Sequence, residues 1–476
     1  MQQRLHKKSG VRPPKALKYA ESKQVLDFIL HYAEMNAVQL PGRSPKRWAG
    51  AKVQLLPADT TKRSVFDLYT TAAASAGYRL VCLSTFRTLW RTLCPFICVQ
   101  KPGSDLCWYC QQAGQRLQQA RNNEAAKQKV AMEHHHHLKT VKQERQFYRD
   151  CCLKAQAFPS IGCFRHISFD FAQQVHYPFD SQQPGPIFFK TPRKCGLFGI
   201  NSEGDFEQVN YLVDEAHSCG KGANTVISYL HDYLENQTTA TPHLHIHADN
   251  CAGQNKNNYM LQYLMWRCCT GKNIEIVLSF LIAGHTKFSP DGGFGLIKQK
   301  LRVSKVDCLQ DLKTVVNTSS KMNKPVLVGD ECGTSHVSVY DWKSFLAEKF
   351  KPLPGIKKCH FFRFGQSSIV EARADSAAAG ELHNLRREGV TASSDLPDPI
   401  QPPGLSKKRQ WYLYRQIREF VSPDKQDIVC PLPEGPEVRW NDDEADEPDD
   451  AGMYIKDNLL IICCYTLIYA DQLYYY

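Results

Sequence analysis

Residues 243–301 read HLHIHADNCAGQNKNNYMLQYLMWRCCTGKNIEIVLSFLIAGHTKFSPDGGFGLIKQKL. His243 to Ala248 alternates polar and apolar side chains, the period of a half-buried strand, and runs out at Asp249. A polar amide cluster (Gln254, Asn255, Lys256, Asn257, Asn258) then opens a helical segment from Tyr259 to Cys268. Ile274 to Ile282 is a nearly unbroken apolar run of strand length that ends at Gly284-His285-Thr286. Asp291 follows, just ahead of another short amphipathic segment. Strand, helix, strand and helix in this rhythm predict an α/β protein. A carboxylate where a buried strand ends can present a metal ligand on a rigid platform, or can cap the helix behind it.

Working backwards, Lys221 to Leu234 reads as a helix with Val226, Tyr229, Leu230 and Tyr233 on one side. Cys163 to Glu215 reads as strands: CFRHISFDFAQ, PIFFKTP, CGLFGI and VNYLVDE. In the first, Ile167, Phe169 and Phe171 alternate with His166, Ser168 and Asp170, so Asp170 faces away from the aromatics. The resulting order, β-β-β-α-β-α-β-α, is that of the ribonuclease H-like mixed sheet. In that fold the first and fourth strands lie side by side at the centre. Acids on both, with a third by the last helix, converge on a pair of metal ions. Asp170, Asp249 and Asp291 take those three places, 79 and 42 residues apart.

The N-terminal part predicts an α-helical module. Residues 1–20 carry six Lys or Arg and no acid, and read as a flexible basic arm. Within 21–100, helices are expected over Glu21 to Asn36, Ser64 to Ala76 and Ser84 to Leu93, with Ser84 as cap and Pro95 as stop. The last two form a candidate helix-turn-helix exposing Arg87 and Arg91. Residues 101–160 hold Cys107 and Cys110 in a C-x2-C knuckle, then a long helical segment with four histidines from His134 to His137. Two thiolates and two imidazoles satisfy tetrahedral Zn²⁺, and His134 and His137, three apart, share a helix face. The other reading is an unrelated thiol pair with a solvated His tract.

Beyond the core (161–305), residues 306–365 extend it, 366–404 form a Pro-rich linker, 405–430 a basic aromatic helix, and 431–476 an acidic, irregular tail. Lys407, Lys408 and Arg409 interleave with Trp411, Tyr412 and Tyr414, a mixture suited to phosphate contact and base stacking. A helix docked on the body fits as well. Seven acids lie between Asp442 and Asp450, and removing them raises the net charge from +11 to +18. A basic body favours polyanions, DNA first. The polar, basic start and the 19 cysteines fit a reduced intracellular protein, here expected in the nucleus. The longest apolar stretch, Leu459 to Ala470, falls short of the roughly 18 residues of a membrane span. No G-x4-G-K-[ST] loop occurs, which argues against a nucleotide-hydrolysing switch, and no small-molecule substrate is expected.

HISFDFAQ, ADNCAGQNKNN, GHTKFSPDGGFG and the upstream KPGSDLC-x2-C resemble a transposon-related group of animal proteins. The resemblance runs from about Leu40 to about Phe364, and weakly through PGLSKKRQWYLY. It implies likeness to ribonuclease H-like transposases and integrases, which use an acidic triad for phosphodiester cleavage and strand transfer. Asp170, Asp249 and Asp291 match the triad's places. Many such enzymes carry Glu on the helix as the third acid, and Asp291 ahead of the helix departs from that, which bears on activity rather than fold. The chemistry asks for two hard cations about 3.5–4 Å apart, so Mg²⁺ or Mn²⁺ is the expected cofactor. Glu215 is a candidate fourth carboxylate or a helix-entry acid. His285 either helps the leaving group or closes a turn. Gln254, Asn255, Lys256 and Asn257 suit phosphate at a helix N-terminus. The expected partner is DNA, with self-association left open. The competing expectation is an inactive, domesticated DNA-binding or protein-interaction protein of the same fold.

Overall fold

The computed structural model describes residues 16–37, 53–99, 106–120, 123–157, 162–331, 333–390 and 393–438. The first fifteen residues of the basic arm, the acidic run Asp442–Asp450 and the apolar Leu459–Ala470 lie outside the described residues. Two compact units divide the chain, one up to Lys139 and the other from Thr140.

The first unit is mainly helical. α1 (Tyr19–Asn36) buries Val25, Ile29 and Ala33, one residue per turn. β1 (Gln54–Leu56) leads to α2 (Lys62–Ser75), where the Thr61 side chain accepts from Ser64 N and caps the first turn. α3 (Leu83–Leu93) buries Phe86 and Trp90, and β2 (Ile97–Val99) pairs in parallel with β1. The indole N–H of Trp90 donates to the Ile97 carbonyl at 3.0 Å, tying α3 to the strand that follows it. α3 begins one residue before the expected Ser84 cap, because Cys82 takes the N-cap position. α4 (Trp108–Gln119) and the 34-residue α5 (Glu124–Ala157) complete the order, and the unit boundary falls within α5.

In the second unit a mixed sheet carries the core. Its strands are β3 (Phe164–Phe171), β4 (Val175–Tyr177), β5 (Arg193–Ser202), β6 (Glu207–Asp214), β7 (His243–Ala248) and β8 (Glu275–Phe280). They continue with β9 (Asn323–Leu327), a short β10 (Val339–Tyr340) outside this sheet, β11 (Phe361–Gly365), β12 (Ile369–Arg373) and β13 (Glu381–Asn384). The order across the sheet is β13-β12-β11-β8-β7-β3-β5-β6-β9, with β4 on β5. β3, β7 and β8 run parallel, while β5 is antiparallel to both β3 and β6.

α6 (Ala223–Asp232) and α7 (Asn258–Cys269) cover one sheet face, burying Val226, Tyr229, Leu261 and Leu264 against Phe169, Ile246 and Leu278. α10 (Trp342–Lys349) joins them through Trp342 and Leu346. α8 (Ser289–Leu301) and α9 (Leu309–Ser319) contribute Phe294, Ile297, Leu312 and Val316 to a second core with Leu197 and Leu212. Burial of this many large side chains at about 1.5–3 kcal/mol each supplies the driving force for both layers.

Three expectations are corrected. PIFFKTP forms no strand: Gly185–Phe189 is a 3-10 turn with Pro186 in its first turn, and Phe189 is left exposed. Residues 366–404 are not a plain linker, since β12 and β13 extend the sheet there. The basic aromatic helix is short: α11 (Lys407–Tyr412) passes into a wider turn at Leu413–Ile417.

Candidate functional site

The register of β3 against β7 decides what the second unit can do. Phe169 pairs with Ala248 in a parallel ladder, so Asp170 and Asp249 follow on neighbouring strands at the same end of the sheet. Alternation places Asp170 with Ser168 and His166, and Asp249 with His247 and His245, on the face away from α6 and α7. On its other side Asp170 pairs with Gly199 of β5. The ring of Phe294 in α8 occupies the space a Cβ on Gly199 would need, 2.7 Å from its position. A Cβ on Gly293 would overlap the Gln208 side chain. These two glycines let α8 lie close on the sheet.

Asp291 sits in the first turn of α8, on the helix rather than ahead of it, and its Oδ2 accepts from Phe288 N at 3.0 Å. Burial pushes the Asp170 carboxyl up to about 8, and the carboxylates of Asp249 and Asp291 push it the same way. Burial also raises Asp249, opposed by donation from Cys251 N at 3.2 Å and from the Asn255 amide. Two carboxylates close to a buried third strengthen its hold on a proton, a cost that a cation bound between them would relieve. Oxygen donors of this kind suit a hard divalent ion such as Mg²⁺ or Mn²⁺.

The amide cluster serves mainly the loop itself. Asn255 holds Asp249, and Asn257 caps α7 by accepting from Met260 N at 3.0 Å. The Asn257 amide donates to the Gln254 carbonyl at 3.0 Å. Lys256 is buried, donates to the Lys357 carbonyl at 3.2 Å, and burial lowers its ammonium to about 8. His285 closes a turn, its N–H donating to the Ile282 carbonyl at 2.9 Å while its own carbonyl accepts from Arg145. Glu215 and Arg409, expected in separate roles, hold each other: Arg409 Nε donates to Glu215 Oε1 at 2.7 Å, and its other nitrogens reach the Thr191 and Pro192 carbonyls. Arg409 is buried with most of its N–H donors engaged, so its charge serves Glu215 rather than a phosphate. Lys407 is exposed at the start of α11, with Lys408 half-buried beside it.

In the first unit, a ligand atom each from Cys107, Cys110 and His137 lies within 4.8 Å of the others. Cys107 Sγ stands 3.4 Å from His137 Nε2, and the ring of Tyr109 lies 4.6 Å from that imidazole. Cys107 is the N-cap of α4 and Cys110 lies in its first turn, so both thiols point from one helix start toward α5. Burial raises the Cys110 thiol to about 12, with Cys107 adding to the shift, and burial lowers His137. A soft cation reverses the first and favours the neutral imidazole of the second, which is the donor chemistry of Zn²⁺. His134 is not in this group: three residues back along α5, it is displaced by about 4.5 Å of helical rise and buried on its own.

Arg87 and Arg91 are exposed, four apart on α3. Their charges depress the ammonium of Lys62 at the start of α2, behind the larger effect of its burial. Lys62, its Nζ 5.4 Å from the Trp90 ring, thus belongs to the same cationic patch. It escaped sequence reading because it lies 25 residues before Arg87, and only the packing of α2 on α3 joins them.

Residues 193–376, from the start of β5 to just beyond β12, match a family model described as a domain of unknown function (DUF7869). The match includes Asp249 and Asp291 but neither Asp170 nor the Cys107 knuckle. No curated protein and no solved structure matches the chain. Among the described residues, no helix is long and apolar enough to cross a membrane.

Proposed function

We propose that the chain is a transposase-derived DNA-binding protein whose second unit is a ribonuclease H-like core for metal-dependent phosphodiester cleavage or strand transfer. One observation carries the reading. Strands β6-β5-β3-β7-β8 stand side by side with only β5 reversed, and Asp170 and Asp249 mark the ends of the two central ones. Asp291 on the crossing helix supplies a third carboxylate whose charge acts on Asp170. With Mg²⁺ or Mn²⁺ bound, the cation would neutralise charge developing on the attacking and leaving oxygens. The chain's own contribution is to hold three carboxylates in place, with Asn255 fixing Asp249. Cys107, Cys110 and His137 would hold a structural Zn²⁺ in the first unit, and Lys62, Arg87 and Arg91 would meet DNA phosphates there.

A non-enzymatic DNA-binding descendant is the second reading. It is favoured by the tight convergence of the Cys and His donors, which the carboxylates do not match. A nicking assay separates the two. Full-length protein with Mn²⁺ should relax supercoiled plasmid, and Asp249→Asn should reduce the rate by at least about 100-fold while duplex affinity stays within about twofold. Binding without nicking by the wild type would leave only the second reading.

A further inference from the structure

Glu203 follows the last residue of β5 and is a buried carboxylate that none of the roles above uses. Its Oε1 accepts from the Ser168 hydroxyl and from Tyr148 OH at 2.6 Å. Its Oε2 accepts from Ser289 Oγ at 2.7 Å and from the Cys152 thiol at 3.7 Å. Tyr148 OH also lies 2.9 Å from Ser289 Oγ, and the Glu203 N–H donates to the His166 carbonyl at 2.9 Å. The donors come from separate elements. Ser168 is on β3, two residues before Asp170 and on the same strand face. Ser289 is the first residue of α8, two before Asp291. Tyr148 and Cys152 belong to α5.

We propose that Glu203 is a positioning residue that ties β3 to α8 and so sets the separation of Asp170 from Asp291. The proposal rests on the reading of those two carboxylates as cation ligands. A buried carboxylate is a costly way to fill space, because its desolvation must be offset by donors around it. Apolar contacts such as Phe294 on Gly199 already hold α8 against the sheet. The carboxylate adds directional, charge-assisted hydrogen bonds, which fix register more sharply than apolar packing does. Each of its two oxygens serves one acid-bearing element, Oε1 the strand and Oε2 the helix.

The test measures Mn²⁺ binding to the full chain by electron paramagnetic resonance, with Ser289→Ala, Ser289→Thr and Glu203→Gln beside the wild type. Loss of the tie should weaken Mn²⁺ binding by ~10–100-fold in Ser289→Ala and Glu203→Gln, the range for groups that orient metal ligands. Ser289→Thr keeps the hydroxyl and should bind within about threefold of the wild type. Should Glu203→Gln fail to fold, the two Ser289 variants decide the matter alone. Variants that bind Mn²⁺ as tightly as a binding-competent wild type would overturn the role of Glu203 and leave the carboxylate site standing. Equal weakening by Ala and Thr would assign the effect to packing and overturn it too. A wild type with no Mn²⁺ affinity would overturn both the site and its positioning residue.

Discussion

His134 and His137 share a face of α5, yet only His137 comes with Cys107 and Cys110. Spacing within a helix tells which residues share a face, but which of two candidates reaches a partner depends on where the partner's own helix starts. The zinc content of the purified chain should therefore be stoichiometric, fall to near zero in Cys107→Ser and His137→Ala, and be unchanged in His134→Ala. Inductively coupled plasma mass spectrometry of the four proteins checks this, and equal loss in the two His variants would contradict the geometry. Glu215 and Arg409 teach the same lesson from the other side. Each has the right residue type for a site, and a separation of 194 positions hides that they neutralise one another. An ion pair with one partner this buried leaves neither charge free for other work.

At the scale of elements, the β3–β7 face carries two buried imidazoles, His166 and His247, and a half-buried one, His245. Burial lowers all three, His245 to about 4 and His247 to about 3. Unfolded histidine titrates near 6.5, so the folded state binds fewer protons below that pH, and stability is lost as pH falls from about 6.5 toward 4. Asp170 works in the opposite sense. Held at about 8 against an unfolded value near 3.9, it keeps a proton that the unfolded chain releases, and stability is lost as pH rises from about 4 to about 8. Below pH 6.5 three imidazoles outweigh one carboxyl, so the melting temperature should drop on acidification. Between pH 6.5 and 8, without added divalent cations, it should decline again, by on the order of 3 °C, and Asp170→Asn should flatten that limb. Scanning calorimetry across pH checks both limbs. These strands were legible because alternation survives in a half-buried strand: β3, β7, α6 and α7 fall close to where periodicity puts them, while α8 starts earlier and takes in Asp291. β12 and β13 were not. Five and four residues long, they sit beyond the region of regular patterning, and their exposed positions, such as Leu382, read as loop. The closeness of α8 to the sheet depends on Gly199 and Gly293, and a sequence does not say which glycine stands under which helix.

For the whole molecule, charge is the property most readily tested. The chain carries +11, and its acids include seven between Asp442 and Asp450, without which the balance is +18. Among the described residues, Lys62, Arg87 and Arg91 form a patch in which burial and the two guanidinium charges depress the Lys62 ammonium, a repulsion that a polyanion relieves. Each phosphate neutralised on duplex DNA contributes about 0.9 to the slope of log K against log salt. Replacing Lys62, Arg87 and Arg91 by Ala should therefore weaken binding and flatten that slope by about 1–3. Deleting residues 442–450 should tighten binding at low salt, because an acidic segment tethered to a basic body competes with DNA, and the advantage should shrink as screening shortens the reach of charge to about 8 Å at 0.15 M. Arg409→Ala offers the contrast: with its guanidinium spent on Glu215, it should lower the melting temperature and leave the salt slope unchanged. Fluorescence anisotropy of a labelled duplex across a salt series reads all four chains. If the triple variant, the deletion and the wild type give one superimposable line, these charges are solvated surface, and the DNA-binding half of the proposed function is wrong whatever the carboxylates do.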